Sequence, residues 1–250
     1  MTASLSSSSS SRWELAAQAV REQYQPQVAS LSEHFEPLSA SDLLAWGVEE
    51  FGDGLVLACS LGPEDLVLID LLTAIRPQVR AFFLDTDFHF PETLQLQQQV
   101  LARYPHLQLE IFKPLLTPEE QAAQYGPELY RTNPDLCCNI RKVEPLNRAL
   151  ANCTTWITGM RREQSPTRAD IGKVQWDAKR NRLKLNPLAD WTNGQVWKYI
   201  LAHGIPYNPL HDRNYPSIGC LHCTAPVEPG ADPRSGRWKG TAKTECGLHT

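Results

Sequence analysis

The segment Leu55-Val-Leu-Ala-Cys-Ser-Leu-Gly-Pro63 decides the fold. Its first six residues form a short apolar run, which predicts a buried strand over 55–60. Gly62 and Pro63 then predict a loop, and a helix is predicted over 64–75. Backbone amides at a turn between a strand and a helix can bind an anion, although a single glycine without a Walker lysine is a weak motif. The segment therefore predicts one strand–helix unit of an α/β fold.

The same alternation of strands and helices continues on both sides of this segment. Further strands and helices are predicted over 79–84, 107–112 and 155–158, and over 13–24, 40–51 and 91–104. Ser39 and Asp42 provide a capped start for the helix from residue 40. The pattern predicts an α/β fold with a mostly parallel sheet flanked by helices. Ligands of such sheets bind beyond the carboxyl ends of strands, so we expect a site among the loops after Ser60, Leu84 and Thr158.

The chain divides into three parts. Residues 1–11 contain a serine tract, which is typical of a disordered tail. Residues 12–218 form the main α/β domain. Its last elements are a hairpin and a helix, predicted over 174–177, 183–186 and 193–203. Residues 219–250 are rich in proline and glycine and contain three of the seven cysteines, so we expect an irregular C-terminal segment that ends in a mobile, functional tail.

Composition and charge restrict the function. The 250 residues have a net charge of −4 and a pI of about 6.0, so no overall field attracts nucleic acid or an anionic membrane. No apolar run approaches the ~20 residues that span a bilayer, and the serine tract lacks the apolar core of a secretory signal. The odd number of cysteines therefore predicts a cytoplasmic protein whose thiols are reduced, bind a metal or act in catalysis.

Four of the cysteines form two pairs, Cys137-Cys138 and Cys220-Leu-His-Cys223. Neighbouring cysteines rarely bond to each other, because the ring strains the peptide, yet they can ligate different corners of one cluster. Two pairs supply the four thiolates of a [4Fe–4S] cluster. A tetrahedral zinc ion fits consecutive ligands less well, and the remaining alternative is two buried cysteines beside an incidental C-x-x-C. Cys137 and Cys138 are also expected to open a helix, whose dipole favours thiolate charge.

Cys246 lies in the motif Thr244-Glu-Cys-Gly-Leu-His249. Cationic residues precede it and a histidine follows it: Arg234, Arg237, Lys239, Lys243 and His249. Positive charge stabilises a thiolate, the form of cysteine that attacks an electrophile, and a mobile tail would let the thiol close over a substrate. The alternative is an exposed thiol without function. Cys59 and Cys153, by contrast, are expected in the core.

Three loops at the predicted sheet edge carry polar or cationic residues. They are Ser60-Leu-Gly-Pro-Glu-Asp65, Leu84-Asp-Thr-Asp87 and Thr158-Gly-Met-Arg-Arg-Glu-Gln-Ser-Pro-Thr-Arg168. The third supplies Arg161, Arg162 and Arg168. Each loop alone could be an ordinary solvated loop, whereas three loops at one edge favour a site for an anionic ligand.

These segments, in this order, resemble the bacterial sulfonucleotide reductases over 55–249. The most specific motifs are Cys137-Cys138 with Ile140-Arg-Lys-Val-Glu-Pro-Leu146, the arginine loop 161–168, Gly219-Cys-Leu-His-Cys223 and Glu245-Cys-Gly-Leu-His249. Members that reduce adenosine 5′-phosphosulfate usually carry both cysteine pairs and a [4Fe–4S] cluster. Members that reduce the 3′-phosphorylated nucleotide usually lack both. The chain thus resembles the thioredoxin-dependent, assimilatory adenylyl-sulfate reductases.

The resemblance implies an adenine-nucleotide alpha-hydrolase-like fold with a modified pyrophosphate loop at 60–65. Relatives that cleave ATP have Ser-Gly-Gly-x-Asp-Ser there. Leu61, Pro63 and Leu66 depart from that pattern, which counts against ATP cleavage. A further departure is Asp87, where the family commonly has glycine.

The resemblance also implies a mechanism and a set of site residues. Cys246 attacks the sulfur of adenosine 5′-phosphosulfate and AMP leaves, after which a thioredoxin or glutaredoxin dithiol releases sulfite from the S-sulfocysteine. The implied cluster ligands are Cys137, Cys138, Cys220 and Cys223. The positions that match substrate contacts are Ser60, Leu84, Thr86, Lys142, Gly159, Arg168, Arg234, Arg237 and His249. Such a reaction belongs to sulfate assimilation and cysteine biosynthesis.

Three alternatives remain open at this point. The first is 3′-phosphoadenosine 5′-phosphosulfate, or both nucleotides, as substrate. The second is an ATP-dependent tRNA thiolation enzyme, which an intact glycine-rich loop would support. The third is a non-enzymatic iron–sulfur or zinc regulator, which would need a basic DNA-binding element. The sequence is compatible with a monomer and with a homo-oligomer.

Overall fold

One six-stranded sheet organises the chain. The computed structural model describes residues 6–239, 241, 243 and 245–248. In this part of the chain the strands are β1 (Leu55–Cys59), β2 (Arg80–Leu84), β3 (Gln108–Phe112), β4 (Thr155–Ile157), β5 (Val174–Asp177) and β6 (Arg182–Leu185). Their order is β3-β2-β1-β4-β6-β5, and all neighbours are parallel except β5 and β6, which form the expected hairpin. The mostly parallel sheet is therefore confirmed.

Helices precede, connect and follow the strands. They are α1 (Ser6–Tyr24), α2 (Val28–Phe35), α3 (Ala40–Phe51), α4 (Pro63–Ile75), α5 (Pro91–Arg103), α6 (Pro118–Tyr125), α7 (Leu129–Thr132), α8 (Pro134–Cys138), α9 (Glu144–Leu150) and α10 (Asn193–Ala202). Helix α3 begins at the expected capping box, in which Ser39 Oγ accepts from the Asp42 amide at 3.2 Å and the Asp42 carboxylate accepts from the Ser39 amide at 2.9 Å. Among the described helices, none is both long and apolar enough to cross a membrane.

The N-terminal helix is longer than the sequence predicts. The serine tract favours a disordered tail over 1–11, whereas α1 begins at Ser6. Once a first turn has formed, each added residue gains a backbone hydrogen bond, so a helix can extend into residues of modest helix propensity such as serine. Residues 1–5 lie outside the described part of the chain. The domain boundaries at 12 and 219 stay predictions.

Two apolar cores lie on opposite faces of the sheet. Leu55 and Leu57 of β1 pack into the larger core, to which α3, α4 and α10 contribute, whereas Val56 packs into a smaller core with α9. Trp156 of β4 is fully buried in the smaller core. Because side chains alternate across a strand, a central strand with two covered faces must be apolar at every position. The continuous apolar run of β1 reflects this position in the sheet.

Candidate active site

A cleft of about 980 Å³ opens at the carboxyl ends of β1, β2 and β4. Its walls include Ser60, Leu84 and Gly159, one residue from each of the three loops that the sequence singled out. The C-terminal tail forms a further wall and brings Cys246 into the cleft. The three loops therefore do meet at one edge of the sheet, as expected for a parallel α/β fold.

The buried carboxylate of Asp65 organises the loop after β1. Its Oδ2 atom accepts hydrogen bonds from the Ser60 amide at 2.6 Å and from the Ser60 hydroxyl at 2.7 Å. Burial raises the pKa of Asp65 to about 6, against the lowering effect of the two bonds from Ser60. Leu61 has a positive φ of 62°, a conformation that is costly for a residue with a side chain and that clusters at functional loops. Sequence reasoning assigned Asp65 no role of its own.

Gly159 lets the loop after β4 approach the loop after β1. A Cβ atom at this position would lie 2.7 Å from Oδ1 of Asp65 and 2.7 Å from Cβ of Glu64, which is too close for any other residue without a shift of the loops. Nearby, Arg161 Nε donates to the Glu64 carboxylate at 2.8 Å and ties the two loops together. The cleft therefore needs a glycine at position 159 for a steric reason.

The loop after β2 reaches the cysteine region. Thr86 is buried, and its Oγ1 atom lies 3.4 Å from Sγ of Cys220. Asp87 has a positive φ of 57°, a conformation that glycine adopts readily, which gives a reason for glycine at this position in related sequences. Here the Asp87 carboxylate binds Arg141 at 3.2 Å and Lys113 at 2.7 Å. Asp87 therefore adopts the left-handed turn that suits glycine and adds ion pairs to Arg141 and Lys113.

Cys137 and Cys138 lie near the start of a continuous helical segment over 134–150, although they do not open it as predicted. Helix α8 begins earlier, at Pro134, because proline suits the first turn and the Asn133 side chain caps it. After the cysteines, Asn139–Val143 forms a π-helical turn that continues into α9. Wide turns of this kind are frequent at functional sites and have no fixed residue pattern, so the sequence did not reveal this one.

The two cysteine pairs meet at one small cavity. Its lining includes four thiols together with aromatic and cationic side chains: Cys137, Cys138, Cys220, Cys223, Phe88, Tyr130, His222, Trp238, Arg141 and Lys142. Burial raises the pKa of Cys137 to about 12 and that of Cys223 to about 11, and the neighbouring thiols contribute to both shifts. Four thiols around one cavity could bind a metal group that replaces their protons. Among the described residues, no group of three or more Cys, His, Asp or Glu is arranged so that it could hold a metal ion.

A wall formed by Lys142 and Trp238 separates this cavity from the cleft. Lys142 and Trp238 line both spaces. Burial alone would lower the pKa of Lys142, but the charges of Cys220 and Cys246 outweigh it and the pKa is raised, so the ammonium stays charged. Trp238 is buried despite a positive φ of 47°, and its indole packs against the guanidinium of Arg237. The thiol of Cys246 therefore faces positive charge from this wall.

Two arginines anchor the tail on the N-terminal side of Cys246. Arg168 donates to both oxygens of the Glu245 carboxylate, at 2.9 and 3.2 Å. Arg234 donates to the same carboxylate at 3.1 Å. These contacts hold Cys246, which is half-buried, at the wall of the cleft.

Two further contacts anchor the tail on the other side of Cys246. The Arg180 side chain, from the turn between β5 and β6, donates to the Gly247 carbonyl at 3.4 Å. Leu248 packs against the smaller apolar core. The sequence indicated neither of these two contacts, because each joins residues that lie far apart in the chain.

Comparison with known proteins points to one family. A model of the phosphoadenosine phosphosulfate reductase domain matches residues 54–226. The chain belongs to the phosphoadenosine phosphosulfate reductase family. The resemblance that the cysteine and arginine motifs carry is thereby confirmed.

Relatives of this family member carry the names of two reductases. A protein of Gloeobacter violaceus named phosphoadenosine 5′-phosphosulfate reductase is 60% identical over 221 residues, which cover 88% of this chain and 92% of that protein. A protein of Halalkalibacterium halodurans named adenosine 5′-phosphosulfate reductase is 49% identical over 225 residues, which cover 90% of this chain and 97% of that protein. The similarity therefore extends over nearly the whole length of both relatives.

Solved structures agree with the family assignment. The crystal structure of phosphoadenylyl-sulfate reductase from Candida auris, a phosphate complex, matches with a TM-score of 0.72 at 33% identity, covering 80% of this chain and 97% of that chain. FMN adenylyltransferase from Candida glabrata matches with a TM-score of 0.53 at 15% identity, covering 95% of this chain and 86% of that chain, which shows a shared fold alone. The expected adenine-nucleotide alpha-hydrolase-like fold is confirmed.

The cleft of this reductase-family member gathers most of the residues that the sequence predicted to act. Its lining includes Ser60, Leu84, Thr86, Lys142, Gly159, Arg168, Arg234, Arg237 and Cys246. His249 lies outside the described residues. The sequence does not mark Glu245 and Trp238 as individual site residues, although Glu245 is the immediate neighbour of Cys246 in the motif over 244–249.

Two of the three arginines in the loop after β4 have scaffold partners. Arg161 pairs with Glu64 as described above, and Arg162 donates to both oxygens of the carboxylate of Glu36, the residue after α2, at 2.6 and 2.8 Å. Arg168 is the arginine of this loop that reaches the tail. The three expected cations are therefore all paired: Arg161 and Arg162 bind carboxylates of the scaffold, and Arg168 binds Glu245 of the tail.

The remaining two cysteines are buried, as the sequence predicted. Cys59 ends β1 and Cys153 precedes β4. Burial raises the pKa of Cys153 to about 12 and that of Cys59 well above its ordinary value. Neither thiol has the character of a nucleophile at neutral pH.

Proposed function

We propose that this family member reduces adenosine 5′-phosphosulfate to sulfite and AMP, with Cys246 as the nucleophile. The observation that carries the proposal is the position of Cys246, which lines the same cleft as Lys142, Arg168, Arg234 and Arg237. A thiol beside cations suits attack on an anionic substrate, because the cations attract the substrate and stabilise the charge that develops on it. The relatives named adenosine 5′-phosphosulfate reductase support the same substrate.

The proposed reaction has two stages. The Cys246 thiolate attacks the sulfur of the sulfate group, a bond forms between Sγ and that sulfur, and AMP leaves with the electron pair of the broken S–O bond. The enzyme then carries an S-sulfocysteine. A thiolate of a reduced thioredoxin or glutaredoxin attacks Sγ of Cys246 and sulfite leaves with the electron pair of the S–S bond. The second thiol of the partner resolves the mixed disulfide, so the two electrons come from the dithiol.

The cleft residues have separate tasks in this scheme. Lys142, Arg168, Arg234 and Arg237 would stabilise the negative charge of the phosphosulfate and of the departing phosphate. The loop around Ser60, with Leu84 and Thr86 from the next loop, would bind the nucleotide at the carboxyl ends of the strands. Gly159 would leave space for close approach of the backbone. We assign His249 to the substrate on the motif alone.

We further propose that Cys137, Cys138, Cys220 and Cys223 bind one [4Fe–4S] cluster. Four thiols line one cavity beside Arg141 and Lys142, and their mutual repulsion disfavours the anionic forms unless a positive group replaces the protons. A tetrahedral zinc ion fits two ligands from consecutive residues less well than a cluster, which offers several metal corners. The iron ions of a bound cluster would replace the thiol protons, and the cluster would join two distant chain segments. The thiols of the partner, not the cluster, supply the electrons.

A second substrate has a specific observation in its favour. The relative that is 60% identical carries the name phosphoadenosine 5′-phosphosulfate reductase. The two cysteine pairs favour the unphosphorylated nucleotide, whereas this name favours the 3′-phosphorylated one. The ratio of kcat/KM for the two nucleotides, measured by sulfite production with reduced thioredoxin, distinguishes them. A ratio above about 100 in favour of adenosine 5′-phosphosulfate is expected, and absence of sulfite from both nucleotides would contradict the proposed function.

A further inference from the structure

The carboxylate of Glu245 is bound by two arginines that the family resemblance assigns to the substrate. Arg168 contacts both carboxylate oxygens, from Nε at 3.2 Å and from Nη2 at 2.9 Å, and Arg234 Nη2 adds a bond of 3.1 Å. Water reaches little of this group, since the exposed fraction is 14% for the Glu245 side chain and 10% for Arg168. Two parallel bonds between a guanidinium and a carboxylate are among the stronger charge-assisted hydrogen bonds.

This arrangement uses donors that an anionic ligand would need. Arg168 directs its Nε and Nη2 edge at Glu245, and its Nη1 atom donates to Gln164. A phosphate or sulfate group presents the same pair of oxygens to a guanidinium as a carboxylate does. Both anions cannot occupy the Nε and Nη2 edge of Arg168 together. The docked tail therefore fills the position that these donors would offer to a ligand.

We propose that Glu245 takes, in the free protein, the place that an anionic group of the nucleotide takes in the complex, so that docking of this carboxylate and binding of the nucleotide compete. The inference rests on the proposed function, which places a phosphosulfate at these arginines. Glu245 is then a positioning residue: it holds the neighbouring Cys246 at the cleft before the substrate binds and is displaced when the substrate arrives.

The contacts on the far side of Cys246 explain why this displacement would not expel the thiol. Arg180 donates to the Gly247 carbonyl, and Leu248 packs against the smaller apolar core, and neither contact involves Arg168 or Arg234. The tail therefore has one anchor that an anion can replace and one that it cannot. Replacement of Glu245 by an anionic group of the nucleotide would release the tail on the N-terminal side of Cys246 only. The Sγ atom of Cys246 could then move toward the sulfur of the substrate.

Competition predicts that removal of the carboxylate strengthens nucleotide binding. The test uses the Cys246→Ser protein, which binds without turnover, with and without Glu245→Gln. Calorimetric titration with AMP and with adenosine 5′-phosphosulfate should show affinity at least about 5-fold higher when Glu245 is replaced, because the ligand no longer displaces a bound carboxylate. Glu228→Gln is the matched control, since Glu228 lies exposed at the same cleft and should change either affinity less than about 2-fold.

A comparison of AMP with adenosine 5′-phosphosulfate shows which anionic group of the nucleotide, the phosphate or the sulfate, replaces Glu245. Tighter binding of both nucleotides identifies the phosphate as the group that replaces Glu245, and tighter binding of adenosine 5′-phosphosulfate alone identifies the sulfate. In protein that retains Cys246, Glu245→Gln should also accelerate alkylation of this cysteine by iodoacetamide without nucleotide, as followed by mass spectrometry of its peptide. Unchanged or weaker affinity for both nucleotides would overturn the inference. Failure of the parent Cys246→Ser protein to bind either nucleotide would instead overturn the proposed function on which it rests.

Discussion

The indole ring of Trp238 lies 4.5 Å from the guanidinium carbon of Arg237, measured to the ring centroid. The guanidinium of Arg234 and the ammonium of Lys243 lie 5.9 and 5.8 Å from the same ring. A cation near the face of an aromatic ring is attracted by the negative charge of that face. One side chain in the wall between the cleft and the cysteine cavity thus gathers three cations beside Cys246.

Replacement of Trp238 should therefore weaken binding of the nucleotide. Trp238→Ala removes a contact worth ~0.5–2 kcal/mol to a cation, so we expect KM for the sulfonucleotide to rise by about 3- to 30-fold. Steady-state sulfite production measures this change. Trp238→Phe keeps an aromatic face, so its KM should lie between those of wild type and Trp238→Ala. A lower melting temperature with an unchanged KM would show that the ring only fills space.

Gly159→Ala should separate the loops after β1 and β4. The added Cβ atom would meet Asp65 and Glu64 at 2.7 Å, so we expect a loss of stability of about 1–3 kcal/mol together with weaker nucleotide binding. Urea unfolding and titration with AMP measure the two effects. Gly194→Ala is the matched control, because the nearest atom to a Cβ there is 3.9 Å away. Equal effects of the two substitutions would contradict the steric explanation.

Asp65 should make stability depend on pH. Its pKa is raised from the ordinary value of 3.8 to about 6 by burial. A carboxyl with a higher pKa in the folded state favours folding when protonated, so this contribution is complete below about pH 4 and is lost as the pH rises through about 6. Between these limits wild type should lose about 3 kcal/mol of unfolding free energy relative to Asp65→Asn. Urea unfolding at several pH values measures the difference, and a difference independent of pH would contradict the assignment.

If the two cysteine pairs bind a [4Fe–4S] cluster, the isolated protein should contain iron and sulfide. Anaerobically isolated protein should be brown, with about four iron atoms and four acid-labile sulfides per chain. Cys137→Ser should lose the colour and most of the iron, because one of four ligands is gone. Cys153→Ala should retain both, since Cys153 is buried away from the two pairs. A colourless, active protein that contains one zinc ion would favour the zinc alternative.

Much of the fold could be predicted because it depends on local patterns. The apolar run of β1 requires two covered faces, and the Ser39–Asp42 capping box marks the start of α3 within four residues. The site was predictable where chemistry and short spacing coincide, as in the cysteine pairs and the motif around Cys246. These features need no knowledge of the distant parts of the chain.

The remainder depends on contacts between distant residues. Glu245 meets Arg168 across 77 positions, and Arg161 meets Glu64 across 97, so their pairing follows from the folded backbone alone. The π-helical turn after Cys138 has no residue signature. Trp238 could not be distinguished in the sequence from an ordinary core tryptophan. Such arrangements decide which cations stay available to a ligand.

The identity of the nucleophile is the claim on which the account depends most. Wild-type protein mixed with adenosine 5′-phosphosulfate and no dithiol should release about one AMP per chain and then stop, because the S-sulfocysteine has no acceptor. Mass spectrometry should place one added sulfonate, about 80 Da, on the peptide that contains Cys246, and reduced thioredoxin should remove it as sulfite. Location of the sulfonate on Cys59 or Cys153, or near-normal turnover by Cys246→Ser, would contradict the mechanism.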